Sequence, residues 1–233
     1  MLKNKTINLK VVEKVALALE EINNDVIYVG GAVVSLYVTD DGAELPRPTT
    51  DIDISVQISS YAQMEQLRKK LASKKVYPAS TESVLYRFVY EEILIDFIPF
   101  EETSLGPTNK WLKPGFQKYN LVTIGNAKIK ILPVSLFLAS KWEAYKSRGG
   151  DPRMSKDFED IVYIIDNNKN LVNEIQNADN NVQTFLYEMS NKILSNSSLN
   201  EIIECHINPY TAEERRELII EKLKKIKNLR DTR

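Results

Sequence analysis

The chain has 233 residues and carries 31 Lys+Arg against 32 Asp+Glu, a formal net charge of −1. Hydrophobic residues at 43% and charged residues at 27% exclude a disordered or collagen-like chain, and the charge balance excludes a uniformly basic nucleic-acid coat. The single cysteine, Cys205, excludes an internal disulfide framework, and with His206 it makes only a two-ligand cluster, too few for a zinc site.

The opening residues MLKNKTINLK lack an apolar signal region, and no apolar stretch approaches the ~20 residues that span a bilayer. The chain therefore reads as soluble and cytoplasmic, with no membrane partner. Asn8 is placed to cap a helix whose stripe is Val11, Val12, Val15, Leu17, Ala18 and Ile22, and Asn23-Asn24-Asp25 ends it. Residues 26–29 form a short β-rich run ending at Gly30-Gly31. A second short helix over 32–38 and a loop over 40–48, with Gly42, Pro46 and Pro48, follow. From Asp51 the pattern alternates: Ile52, Ile54 and Val56 to one side, Asp51, Asp53 and Ser55 to the other.

Residues 61–71 read as a polar helix with Met64, Leu67 and Leu71 inward. Residues 84–90 and 93–100 read as strands about the turn Glu91-Glu92, and 121–124 and 129–132 as a hairpin about Gly125-Asn126. Pro133 suits the first position of a helix. Helices are expected near 133–147, 155–166, 171–178, 182–194, 199–205 and 211–228. The fold class is α+β: a mixed β-sheet with flanking helices over 1–132, then an all-α bundle over 133–233.

The informative stretch is Gly30-Gly31 followed by Thr49-Thr50-Asp51-Ile52-Asp53-Ile54. Residues i and i+2 of a strand share a face, so Asp51 and Asp53 project side by side. Two such carboxylates repel, and a hard divalent ion, Mg²⁺ or Mn²⁺, satisfies both. Asp96 is a lone acid in an apolar strand and joins them if its strand lies beside theirs. That set suits phosphoryl or nucleotidyl transfer, with metal ions holding the triphosphate and activating the attacking hydroxyl. Gly30 and Gly31 allow close approach of backbone to phosphate. Read without such a role, an Asp-x-Asp strand is a solvated face. A calcium loop is excluded, because Val56 stands where glycine is needed and Ala62 where a bidentate Glu is needed. GGAVVS also lacks the later glycines of a dinucleotide-binding turn.

Lys141 lies at the edge of a helix stripe of Val134, Phe137, Leu138, Trp142 and Tyr145. There an ammonium can reach a phosphate or cover apolar surface. Lys156 and Asp160 stand i,i+4 and can pair on the helix surface, and Asp157 is a first-turn acid favoured by the helix dipole. Arg148 to Arg153 is a basic turn, either closing over a nucleotide or simply joining helices. Lys222, Lys224, Lys225, Lys227, Arg230 and Arg233 stand against Asp231 alone, either a phosphate-binding patch or a solvated helix end.

Gly30-Gly31, the run R-P-T-T-D-I-D-I (47–54) and the isolated Asp96 together resemble the polymerase-β-like nucleotidyltransferase superfamily. Within it the likeness is to the AbiEii/AbiGii-type toxin nucleotidyltransferases. A second block, K-W-E-A-Y-K-S-R-G-G-D-P-R-M-S-K-D-F-E-D-I (141–161), resembles that family's helical-domain signature. The resemblance implies a nucleotidyltransferase domain followed by a helical bundle. By position, Asp51, Asp53 and Asp96 would hold Mg²⁺ or Mn²⁺ and carry catalysis. Gly30, Gly31 and Thr50 would bind the nucleotide, and Lys141 would contact the triphosphate. Asp157 would orient that lysine, with Lys156 and Asp160 further members of the nucleotide site. The substrate would be an NTP, the acceptor RNA or tRNA, and the partner an antitoxin protein. Two alternatives stay open: a small-molecule, aminoglycoside-like nucleotidyltransferase, and a non-catalytic nucleotide-binding regulatory module. The spacer from Gly31 to Asp51 is longer than the superfamily's usual one.

Overall fold

The computed structural model describes residues 7–79, 85–101 and 109–229. They fall into two compact units, one within 1–33 and 47–133 and the other within 34–46 and 134–233. The first unit holds helices α1 (Leu9–Leu19) and α2 (Tyr61–Ser73). Its strands are β1 (Val26–Val29), β2 (Asp51–Val56), β3 (Val76–Pro78), β4 (Arg87–Tyr90), β5 (Ile93–Pro99), β6 (Asn120–Ile124) and β7 (Ala127–Ile131). They make one mixed sheet in the order β3-β4-β5-β2-β1-β7-β6. β2 runs parallel to β5 and β1 parallel to β7, while the remaining neighbours are antiparallel.

Local sequence explains most of these elements. The Asn8 side chain accepts from the backbone N–H groups of Lys10 and Val11, at 3.0 and 3.2 Å, satisfying two donors that the first turn of α1 leaves unpaired. Val12, Val15, Ala16 and Leu19 then bury one stripe of that helix. On β2 and β5 the alternate residues Ile52, Ile54, Ile95 and Phe97 are fully buried, and Phe97 packs edge-on against Phe88 with ring centroids 5.3 Å apart. Burial of one apolar face fixes which side chains the other face presents.

The structure departs from expectation at particular places. The short helix expected over 32–38 is a 3₁₀ helix over Gly31–Tyr37. The short edge strand β3 has too few residues to show alternation. The described strand before Glu91-Glu92 starts at Arg87, and Val84 lies outside the described residues.

The second unit holds α3 (Val134–Arg148), α4 (Lys156–Asn167), α5 (Leu171–Gln176), α6 (Asn180–Leu194), α7 (Leu199–Glu204) and α8 (Ala212–Asn228). Residues 34–46 group with these helices, whereas the sequence reading kept them in the first domain. Polar contacts account for this. Asn167 O accepts from the N–H groups of Thr39 and Asp40 at 3.0 and 3.1 Å, Asn168 donates to Tyr37 O at 2.9 Å, and Tyr163 OH donates to Glu44 O at 2.7 Å. The Tyr37 ring lies 4.4 Å from that of Phe137. No helix among the described residues is long and apolar enough to cross a membrane.

Candidate active site

The parallel register of β2 and β5 pairs Asp53 with Asp96 and Asp51 with Leu94. Paired residues share a face, and Asp51 lies two positions from Asp53, so all three carboxylates stand on one side of the sheet. Thr49 Oγ1 donates to Asp51 Oδ1 at 3.1 Å and orients that carboxylate.

The glycine turn abuts the acids. Gly30 has φ +72°, a left-handed conformation, and a Cβ there would fall 1.8 Å from Asp53 Oδ2. A Cβ on Gly31 would fall 2.8 Å from the Arg47 guanidinium. Gly30 is therefore required by its conformation and by close approach to a carboxylate, whereas the Arg47 side chain can shift away from Gly31. Thr50 is exposed.

Arg87, on β4, is the residue that the sequence reading missed. It is the cross-strand partner of Asp96, and its Nε and Nη2 donate to Asp96 Oδ1 and Oδ2 at 2.7 and 2.8 Å. The same Nη2 lies 3.7 Å from Asp51 Oδ2. A bidentate guanidinium–carboxylate pair is the strongest form of this contact. Its only sequence signal was a lone arginine opposite a lone acid across a two-residue turn. Arg47, within the quoted R-P-T-T-D-I-D-I run, likewise acquires a place at the turn.

The acid set suits a hard divalent ion by chemistry and by face. The carboxylates do not converge, however. Among the described residues no three His, Cys, Asp or Glu side chains are gathered closely enough to hold a metal. Arg87 engages both oxygens of Asp96.

In the helical unit Lys141 is buried, with Nζ 2.7 Å from Asp160 Oδ2 and 3.4 Å from Asp157 Oδ1. Asp157 also accepts from Arg148, so the basic turn after α3 is tied back to α4. The Lys156–Asp160 surface pair does not form: Lys156 is exposed, and Asp160 is turned inward onto Lys141. Cys205 is free and exposed, and the His206 ring packs 5.7 Å from Phe158 while Nε2 meets Pro152 O at 2.9 Å. Of the C-terminal cations, Lys222 is buried and Lys225 pairs with Glu221 at 2.6 Å. Arg230, Asp231 and Arg233 lie outside the described residues.

No family model matches the chain, and no curated protein matches it. Among solved structures it is similar to an antigenic nucleotidyltransferase-like protein from Paracoccidioides brasiliensis, with a TM-score of 0.52 and 17% sequence identity over 86% of this chain and 93% of that one. The fold is nucleotidyltransferase-like. At that identity the likeness concerns the path of the backbone. A nucleotidyltransferase-like backbone with three acids on one face of β2 and β5 is the frame within which a function can be proposed.

Proposed function

We propose that the chain is a metal-dependent nucleotidyltransferase that moves NMP from an NTP to an acceptor hydroxyl. The observation that carries the reading is the β2–β5 register, which sets Asp51, Asp53 and Asp96 on one face beside a glycine turn. Asp51 and Asp53 would hold Mg²⁺ or Mn²⁺, with Asp96 completing the set. Bound there, the ion would neutralise charge on the triphosphate and lower the pKa of the attacking hydroxyl. The acceptor oxygen forms a bond to the α-phosphorus, the bond from that phosphorus to the pyrophosphate oxygen breaks, and the hydroxyl proton passes to Asp96. The Gly30-Gly31 backbone and Thr50 would line the phosphates, with the Arg47 guanidinium beside them.

Lys141 would serve as the triphosphate contact, with Asp157 and Asp160 orienting it and Lys156 nearby on the first turn of α4. This part of the reading draws on the resemblance, as do an RNA or tRNA acceptor, an antitoxin partner and a toxin role. Burial of Lys222 and pairing of Lys225 reduce the cations that α8 offers to an RNA backbone, which favours weighing a small hydroxylated acceptor beside it.

The test is transfer of label from an α-labelled NTP, with Mg²⁺ present, to purified tRNA, bulk RNA or an aminoglycoside. Label is expected on RNA and lost in Asp51→Ala. Label only on the small compound replaces the acceptor and keeps the chemistry. Nucleotide binding without pyrophosphate release would sink the enzyme reading and leave a regulatory module. Growth arrest on expression that disappears in Asp53→Ala supports the toxin role, and equal arrest by that variant removes it.

A further inference from the structure

We propose that Arg87 is an internal counter-cation for the acid set, and that a divalent ion gains Asp96 as a ligand only by displacing the guanidinium from it. The inference rests on the reading of Asp51, Asp53 and Asp96 as metal-binding carboxylates.

The contact is fixed by the backbone. Arg87 and Asp96 are direct partners in the β4–β5 ladder, so their side chains leave adjacent strands on the same face. Both oxygens of Asp96 are used, at 2.7 and 2.8 Å, in the parallel two-bond geometry that matches guanidinium to carboxylate. The reach of Nη2 to within 3.7 Å of Asp51 means that one cation spans the first and third acids. The Asp96 side chain is only 8% exposed, so water screens this pair weakly. Arginine stays protonated throughout the pH range in which proteins fold, so the guanidinium keeps its charge. For two of the three acids, Arg87 therefore provides the charge compensation that a divalent ion would provide for all three.

Two consequences follow. Metal affinity is set by a competition, and the competitor is carried on the neighbouring strand. A displaced Arg87 also stays on the same sheet face, where its five N–H donors suit phosphate oxygens. Entry of the ion and presentation of a phosphate-binding cation would then be one event.

The test is Mn²⁺ binding to the full chain, read by the electron paramagnetic resonance of free Mn²⁺, for four proteins: wild type, Arg87→Gln, Asp96→Asn and the double variant. Arg87→Gln is expected to tighten Mn²⁺ about tenfold or more, since a charge-assisted bidentate contact no longer opposes entry. In the Asp96→Asn background the same change is expected to gain less than about twofold, because the contested ligand is gone. An equal gain in both backgrounds overturns the proposal, since a guanidinium acting through space alone would give that result. No gain in either background overturns it as well. If all four proteins are folded and none binds Mn²⁺, the metal-site reading itself falls and takes the inference with it. Arg87→Lys, which keeps the charge and loses the fork, covers the case in which Arg87→Gln fails to fold. It is expected to give a smaller gain that again requires Asp96, and absence of that gain overturns the proposal.

Discussion

On β2 and β5 the carboxylates occupy a sheet face that water partly reaches: the Asp51 side chain is 32% exposed, and one guanidinium, Arg87, is shared between Asp51 and Asp96. In the helical unit Asp160 is 1% exposed, and it and Asp157 meet two cations, Lys141 and Arg148. Both clusters set aspartates against basic side chains, but Asp51 is partly exposed and Asp160 is buried. Strand spacing forces Asp51 and Asp53 side by side on one face whatever compensates them. Helix spacing places Asp157 and Asp160 three apart on one face, against a lysine and an arginine that match their charge. Removing one partner of such a pair leaves a buried charge uncompensated, which is costly.

The largest expected effect tests the first half of that contrast. Asp53→Asn should lower nucleotide transfer by about 10³-fold or more, because a metal ligand supplies several kcal/mol of transition-state stabilisation. Its unfolding free energy should stay within about 1 kcal/mol of wild type, as for a partly exposed polar replacement. Steady-state kinetics beside urea unfolding read both quantities. Retained transfer would mean that the acids of the sheet face have no catalytic use.

Lys141→Met probes the other cluster. Removing one partner leaves Asp160 buried without its ammonium, and the expected loss is about 3–5 kcal/mol of stability. Adding Asp160→Leu should restore most of it, because an apolar pair of similar volume carries no desolvation cost. Chemical denaturation of the single and double variants measures this. If Lys141→Met keeps its stability and loses transfer, the lysine serves the triphosphate and not the packing of its own unit.

Much of this was legible in the residues because the physics involved is local. The Asn8 cap, the alternation from Asp51 and the stripes of α3 to α8 each depend on neighbours within a turn or a strand, and their boundaries follow to within a few residues. The common face of Asp51 and Asp53 is a property of any strand. That Asp96 joins them depends on β5 lying parallel to β2, a pairing between segments some forty residues apart in which the β4–β5 hairpin intervenes. Arg87 was missed for the same reason: only the hairpin register reveals which side chain faces Asp96. Residues 34–46 carry no periodicity, and their place with the helices rests on single hydrogen bonds to Asn167, Asn168 and Tyr163. The burial of Lys141 and Lys222 was equally hidden, since a lysine beside an apolar stripe reads as a solvated edge.

Gly30→Ala sharpens the contrast at smaller cost. The left-handed φ alone costs an alanine about 1–2 kcal/mol, and its Cβ must also displace the Asp53 carboxylate. Thermal unfolding should report the first effect and weakened Mn²⁺ binding the second. Gly149→Ala offers the control, because it too has positive φ but nothing lies within 4 Å of its Cβ. It should reproduce the stability loss without any change in Mn²⁺ binding. If both variants bind Mn²⁺ like wild type, the glycine turn is separate from the acid set.

The smallest effect distinguishes the two buried lysines of the helical unit. Lys141 faces carboxylates, whereas Lys222 Nζ donates to the carbonyl oxygens of Ile165, Asp166 and Asn168 at 2.7, 2.9 and 3.0 Å, closing the end of α4. Burial pushes the Lys222 ammonium below its ordinary 10.5, and the nearby Asp166 carboxylate opposes that shift only in part. Between the depressed value and 10.5 the unfolded chain keeps a proton that the folded protein has released. The unfolded state then binds more protons, so this group's contribution to stability rises with pH across the window. Tyr28 and Tyr37, whose phenols burial pushes upward, act in the opposite sense at the alkaline end, but they are common to wild type and Lys222→Met and cancel in the difference. The stability of wild type relative to Lys222→Met should therefore increase as pH is raised toward 10.5, in urea titrations at successive pH values. A difference that is flat or falls with pH would show that the three carbonyls compensate the buried charge fully, and that the lysine at the end of α4 is as well matched as the one among the acids.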